Sequence, residues 1–117
     1  MKPHEIERHQ ALPHQAEIVL QLDPSLFWFS GHFSVQPLLP GVAQLNWAMD
    51  YATTLLVRGW RFQSIHNVKF QSPLLPEATV TLSLSWQEAR QMLTFSYQRH
   101  DGDVRHTASS GMIRICR

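Results

Sequence analysis

The sequence holds little of what disulfide frameworks, cysteine metal sites and exported proteins need. Cys116 is its one cysteine, which excludes an intramolecular disulfide and any zinc cluster built from several cysteines. Residues 1–8 are polar and charged, and they lack the apolar segment of a secretory signal. We therefore expect a cytoplasmic protein without disulfide bonds.

Charge is also scarce. Charged residues make up 16% of the chain and the formal net charge is +1, so no strongly basic surface predicts a nucleic-acid partner. Asp, Glu, Lys and Arg are all missing from Pro24 to Met49. Pro37 and Pro40 interrupt this stretch before it reaches the ~20 helical residues of a membrane span. We therefore predict no membrane span and interpret the stretch as a buried or pocket-forming segment.

The length of 117 residues corresponds to one domain. We expect residues 1–14 to form a loosely ordered lead-in and residues 15–117 to form a single domain. A domain of this size buries only part of its apolar surface by itself, so association with a second copy would stabilise it.

One segment, Gly41–Val57, is predicted to be a helix, because Pro40 is a start signal and Gly59 a stop signal. Its apolar stripe at helical spacing consists of Val42, Leu45, Ala48, Met49, Ala52, Leu55 and Leu56, and Ala43, Trp47, Tyr51 and Val57 lie off that stripe. A helix that is apolar on nearly all sides is expected to be surrounded by protein.

Most of the remaining chain alternates between apolar and polar residues, as strands do. The predicted strands are Ala16–Leu22, Arg61–Phe70, Thr79–Gln87, Leu93–Gln98 and about Val104–Ile115, with an irregular segment at 26–40 and a tight turn at Asp101-Gly102. One antiparallel sheet curled around one central helix satisfies this order. The sequence therefore predicts an α+β protein with the hot-dog fold, whose helix is fully covered only when two copies pair.

A candidate active site lies in the uncharged segment. His32, within Gly31-His32-Phe33, titrates near neutrality and suits a general acid or base. The first N–H groups of the predicted helix, at Gly41 and Val42, have no intrahelical acceptor and lie at the positive end of the helix dipole. They are therefore suited to hold a carbonyl oxygen on which negative charge develops.

These residues also carry a resemblance to a known family. The pattern Phe29-Ser30-Gly31-His32-Phe33-x-x-x-Pro37-x-x-Pro40-Gly41-Val42 resembles the signature of the hot-dog (3R)-hydroxyacyl-acyl-carrier-protein dehydratases. The segment His66-Asn67-Val68-Lys69-Phe70-x-x-Pro73-x-x-Pro76 resembles the strand that follows the helix in those enzymes. The short chain and Gln44-x-x-Trp47-Ala48 are similar to the small dehydratases of aryl-polyene and related polyketide-type pathways.

The resemblance implies an activity and roles for individual residues. The activity is dehydration of a (3R)-3-hydroxyacyl chain on an acyl carrier protein to the trans-2-enoyl form, in fatty-acid or aryl-polyene and polyketide-type elongation. His32 matches the histidine that removes a C2 proton, and Gly41 matches the glycine whose N–H polarises the thioester carbonyl. Such an elimination needs no metal or redox cofactor, since a base, a carbonyl stabiliser and a proton for the leaving hydroxyl suffice.

The family also implies a homodimer with the acyl chain in a tunnel at the interface. The residues expected to contact substrate are Trp28, Phe33, Val42, Trp47 and Asp50. Arg58, Arg61 and Lys69 are candidate contacts for an acidic carrier protein.

One position departs from the family pattern. The acidic residue expected five positions after Gly41 is Asn46, and an amide cannot donate a proton by ionising. Either His32 performs both proton transfers while Asn46 orients the hydroxyl or a water, or Asp50, one turn further along the helix, replaces the acid.

Two other functions compete with the dehydratase. Asn46 also fits a non-catalytic acyl-binding or scaffold subunit that partners an active dehydratase. A hot-dog thioesterase would normally carry a carboxylate in the loop before the helix, and residues 24–40 contain none.

Overall fold

Six strands and one long helix form the parts of the chain that the computed structural model describes, residues 3–24 and 39–117. The strands are β1 (His4–His9), β2 (Gln15–Gln21), β3 (Arg61–Phe70), β4 (Thr79–Gln87), β5 (Met92–Asp101) and β6 (Val104–Cys116), and the helix is α1 (Gly41–Leu55). A 3-10 turn, Glu88–Arg90, connects β4 to β5.

All six strands belong to one antiparallel sheet with the order β1-β2-β4-β5-β6-β3. One face of the sheet, here called the inner face, packs against α1. Its alternate residues Leu82, Leu84, Phe95, Tyr97 and Ile113 are fully or almost fully buried in the core. This is the hot-dog arrangement, and the predicted fold class is confirmed.

The predicted strands from Ala16 onwards lie within a few residues of the observed ones, whereas α1 ends two residues before the predicted end. The backbone N–H groups of Leu56 and Val57 both donate to the carbonyl oxygen of Ala52, at 2.8 and 2.9 Å. Because two donors share one acceptor, the regular α-helical ladder ends here. No helix in residues 3–24 and 39–117 is long and apolar enough to cross a membrane.

The prediction of a loosely ordered lead-in is wrong for residues 4–9, which form β1 and pair with β2 through a bulge between Glu5 and Glu7. Polar contacts join this strand to α1. Glu5 forms an ion pair with Arg8 at 2.8 Å and a hydrogen bond with the hydroxyl of Tyr51. The strand has only Ile6 as a large apolar residue, so hydrophobic alternation could not reveal it.

The single chain buries one side of α1 and leaves the other exposed. The buried residues are Ala43, Gln44, Trp47, Ala48, Tyr51 and Ala52. Val42 is 57% exposed, and Asn46 and Asp50 are exposed on the same side. Trp47 and Tyr51 were predicted to lie off the apolar stripe, but they belong to the buried side of α1. Val42 was predicted to lie on the stripe, but it is on the exposed side.

A bulge in β3 determines which of its side chains face inward. The bulge lies between His66 and Lys69, and Asn67 within it has φ 52°, a left-handed conformation that Asn adopts more readily than most residues. On the neighbouring strand, a Cβ atom on Gly111 would lie 2.6 Å from Cγ2 of Val68, so only glycine lets β3 approach so closely. The bulge keeps Phe70 on the inner face, opposite Ser109.

Candidate active site

The start of α1 presents two backbone N–H groups. Those of Ala43 and Gln44 donate to the carbonyl oxygen of Pro40, at 3.1 and 3.2 Å. The N–H groups of Gly41 and Val42 precede these bonds and have no intrahelical acceptor. The first turn contains no acidic residue that would neutralise the positive end of the helix dipole. This helix end can therefore stabilise an oxygen atom that gains negative charge.

Three inner-face side chains in one row contact the start of α1. Tyr97 on β5, Ser109 on β6 and Phe70 on β3 are direct neighbours in the sheet register. The Tyr97 hydroxyl donates to the carbonyl oxygen of Gln44 at 2.6 Å, and the Ser109 hydroxyl donates to Oε1 of the Gln44 side chain at 2.6 Å. The ring of Phe70 lies so close to Gly41 that a Cβ atom there would be 2.6 Å from Cζ.

Gln44 is the buried polar centre of these contacts. It is 3% exposed, and its Nε2 donates to the carbonyl oxygen of Leu39 at 3.2 Å. The N–H of Leu39 in turn donates to the carbonyl oxygen of Leu74 at 2.8 Å. Gln44 was not among the site residues predicted from the sequence. A polar amide on a helix face that is otherwise apolar could have indicated it.

The electrostatics of Tyr97 fit its role as a donor. Burial raises the pKa of the Tyr97 hydroxyl well above its usual value, with a further contribution from Tyr51. The hydroxyl therefore remains protonated at neutral pH and keeps its hydrogen bond to Gln44.

A cavity of about 210 Å³ lies beside this helix end. Its lining includes Leu39, Gly41 and Gln44 from the helix side, and Phe70, Ser72 and Pro73 from the end of β3 and the loop after it. The cavity thus has walls from both segments that carry the family resemblance, with Gly41 from one and Phe70 and Pro73 from the other.

The described residues include five of the eight predicted site residues. Gly41 and Val42 begin α1, and Val42, Asn46 and Asp50 follow at intervals of four along its exposed side. Trp47 is 2% exposed and packs in the core between helix and sheet. His32, Phe33 and Trp28 lie outside the described residues.

Asp50, the alternative acid, lies in a polar and open environment. Its side chain is on the exposed side of the helix, and no ion pair among the described residues includes it. In the single chain Asp50 therefore reaches solvent. Its charge acts on the neighbouring Tyr51, whose pKa is raised to about 12 by burial first, then by Glu5, with a smaller contribution from Asp50.

Comparison with known proteins identifies the family. The family model of the ApeI-like proteins, described as ApeI dehydratase, matches residues 7–111. The chain belongs to the ApeI-like dehydratase family. The resemblance found in the sequence is confirmed, and the protein is a dehydratase with the hot-dog fold. No curated protein matches the chain significantly in sequence.

Solved structures of similar proteins agree with this assignment. A chain of the dehydratase heterocomplex ApeI:P from Xenorhabdus doucetiae is 55% identical over 100% of both chains, with a TM-score of 0.94. An uncharacterized protein from Erwinia carotovora subsp. atroseptica is 54% identical over 99% of this chain and 97% of its own, with a TM-score of 0.93.

A structure with much lower sequence identity has the same fold as this ApeI-like chain. The dehydratase domain of the polyketide protein PpsC from Mycobacterium tuberculosis has a TM-score of 0.75 at 17% identity, with 100% of this chain and 45% of that chain covered. At this identity the similarity concerns the fold alone.

Proposed function

We propose that this ApeI-like dehydratase removes water from a (3R)-3-hydroxyacyl thioester on an acyl carrier protein and forms the trans-2-enoyl thioester. The reaction would serve fatty-acid or aryl-polyene and polyketide-type chain elongation. The observation that carries the proposal is the start of α1, where the N–H groups of Gly41 and Val42 have no intrahelical acceptor and Gly41 lines a cavity of about 210 Å³.

The proposed chemistry is an elimination. His32 takes the proton from C2, and the electrons move onto the thioester oxygen, which the N–H of Gly41 stabilises with help from Val42. The electrons then return to form the C2–C3 double bond while the C3–O bond breaks. The hydroxyl leaves as water with the proton that His32 returns, so no redox change occurs.

Asn46 is proposed to orient the leaving hydroxyl or a water. It follows Val42 by one turn on the exposed side of α1, whereas Asp50 lies a further turn, or ~6 Å, along the helix axis. A loop that brings His32 to the helix start approaches the first turns more easily than the third. The proposal therefore assigns the second functional group to Asn46, with Asp50 as the alternative acid.

A second hot-dog subunit is proposed to complete the site. Val42 on α1 is 57% exposed, and on β3 Phe62, Ile65 and Phe70 are 49%, 45% and 53% exposed. The ring of Phe70 contacts Gly41 at the start of α1, and β3 has a neighbour on one side only among the described strands. A homodimer is the predicted assembly. The similar structure from Xenorhabdus doucetiae is a heterocomplex, so a related subunit is the alternative.

An acidic carrier protein is the proposed donor of the substrate. Arg58, Arg61 and Lys69 are exposed, and the last two lie on β3, whose final residue Phe70 reaches Gly41. Positive side chains on this strand would place a negatively charged carrier close to the cavity entrance.

The second candidate function is a non-catalytic acyl-binding or scaffold subunit. Asn46 favours it, because the usual carboxylic acid is missing from that helix position. Such a subunit would bind the acyl chain and leave the chemistry to its partner.

One assay separates these functions. Purified protein is mixed with a 3-hydroxyacyl-acyl carrier protein, and mass spectrometry follows the loss of one water from the acyl chain. We expect the enoyl product with the wild type and with His106→Ala, a variant of an exposed residue of β6. Binding of the acyl carrier without any enoyl product would instead support the scaffold function.

A further inference from the structure

Two of the three buried polar side chains in the described residues, Gln44 and Ser109, contact each other at the start of α1. Burying an amide and a hydroxyl costs free energy unless their polar atoms are hydrogen-bonded. Apolar side chains would fill the same space without that requirement. The position of this pair therefore points to a role beyond filling the core.

The contacts of Gln44 hold both sides of the Pro40-Gly41 step. On one side, Nε2 of Gln44 donates to the carbonyl oxygen of Leu39, the residue before Pro40. On the other side, Oε1 receives the Ser109 hydroxyl from β6, and the backbone carbonyl oxygen receives the Tyr97 hydroxyl from β5. The amide side chain thus links the residue that enters the helix, the first helical turn and the sheet.

We propose that Gln44 is a positioning residue that fixes the N–H of Gly41 relative to the cavity, acting through Leu39 and Ser109. This inference rests on the proposed function for its effect on catalysis, and it also makes a claim about the geometry of the free protein. In this role Gln44 acts through its neighbours and not by direct contact with a reacting atom. It restrains the backbone at Pro40, which has no N–H group and therefore cannot donate a hydrogen bond of its own.

The claim about geometry can be tested without substrate. Pro40-Gly41 is the one Pro-Gly step in the sequence, so protein labelled with ¹³C at the proline carbonyl and ¹⁵N in glycine gives a single carbonyl-coupled amide resonance, that of Gly41. We expect this resonance to shift or broaden in Gln44→Met and in Ser109→Ala. Ser110→Ala is the matched control, because Ser110 follows Ser109 on β6 but faces the opposite side of the sheet, and its Gly41 resonance should match that of the wild type.

The claim about catalysis is tested with the same variants. Misplacing a stabilising group by about 1 Å can cost on the order of a hundredfold in rate. We expect kcat per folded molecule to fall about tenfold to a hundredfold in Gln44→Met and about tenfold in Ser109→Ala, with KM within about twofold of the wild type. A purely structural role would lower the melting temperature but leave kcat per folded molecule unchanged.

The outcomes separate the two proposals. The positioning role is wrong if the Gly41 resonance of both Ser109→Ala and a folded Gln44→Met matches that of the wild type. It is also wrong if kcat stays at the wild-type value in both variants. If Gln44→Met does not fold, Ser109→Ala alone decides, since it removes one hydroxyl only. If the wild type shows no dehydratase activity while the Gly41 resonance moves as expected, the proposed function fails and the anchoring of the helix start remains.

Discussion

The hydroxyl of Tyr97 on β5 donates a 2.6 Å hydrogen bond to the backbone carbonyl oxygen of Gln44 on α1. The residues are 53 positions apart in the chain. The bond therefore ties the first turn of the helix to the middle of the sheet, and it lasts only while the hydroxyl keeps its proton.

Stability should fall at high pH because of the two tyrosines. The pKa of Tyr51 is raised to about 12 and that of Tyr97 well above its usual value, in both cases first by burial. The pKa of a tyrosine hydroxyl in the unfolded chain is about 10. Where the pKa is higher in the folded chain, the protonated hydroxyl contributes to stability below about pH 10, and this contribution is lost as the pH rises through the pKa of the folded chain. We expect the free energy of unfolding, measured in urea, to decrease above about pH 10, and less steeply in Tyr51→Phe. Equal slopes in the two proteins would contradict this origin.

Gly41→Ala should bring a new side chain against Phe70, since a Cβ atom there would lie 2.6 Å from the ring. Overpacking of this kind costs ~1–3 kcal/mol, although Phe70 is partly exposed and its ring can move. We expect both unfolding free energy and turnover to decrease, and Phe70→Leu in the same chain to recover much of the loss. A double-mutant cycle in urea with no coupling between the two positions would argue against this contact.

His32→Ala tests the proposed base. Loss of a general base typically lowers turnover by about a hundredfold or more. We expect that loss together with a far-ultraviolet circular dichroism spectrum like that of the wild type. Turnover near the wild-type level would place the chemistry at another residue.

Asn46→Ala and Asp50→Asn, measured in parallel, identify the second functional group. If Asn46 orients the leaving hydroxyl, its loss should cost about 1–3 kcal/mol of transition-state stabilisation, and Asp50→Asn should change turnover little. If Asp50 is the acid, its variant should be nearly as inactive as His32→Ala and should lose one limb of the pH–rate profile. An inactive Asp50→Asn beside an active Asn46→Ala would reverse our assignment.

Ile65→Lys should weaken assembly, because Ile65 is a large apolar residue that is 45% exposed on β3, the strand proposed to meet the second subunit. We expect sedimentation to show a dimer for the wild type at micromolar concentration and a larger monomer fraction for the variant. Val104→Lys is the matched control, as Val104 is 56% exposed on β6. A wild-type chain that sediments as a stable monomer would exclude the homodimer.

Local patterns predict much of this fold. The alternation in Thr79–Gln87 gives β4 with its correct bounds, because Val80, Leu82, Leu84 and Trp86 are all buried on the inner face. Pro40 and Gly41 likewise predict where α1 begins. These signals are contained in a few neighbouring residues, so they do not depend on the rest of the chain.

Other features depend on contacts between distant residues. β1 has no apolar alternation, and its place in the sheet comes from pairing with β2 and from the contact between Glu5 and Tyr51. The anchoring of Gln44 needs Tyr97 and Ser109 to meet at one turn of the helix. No spacing in the sequence reveals such a convergence, because it is produced by the register of β5 and β6 and by their packing against α1.

The position of β3 at the edge of the sheet, among the strands that the structure describes, affects how the protein can be produced. A ten-residue edge with half-exposed Phe62, Ile65 and Phe70 is a template on which other strands can add. Arg61, Lys69 and the bulges oppose such addition, but they leave the apolar side chains between them accessible. If a second subunit covers this strand as proposed, assembly competes with aggregation in every newly synthesised chain, and the yield of soluble protein in a producing cell should rise with the concentration of that subunit.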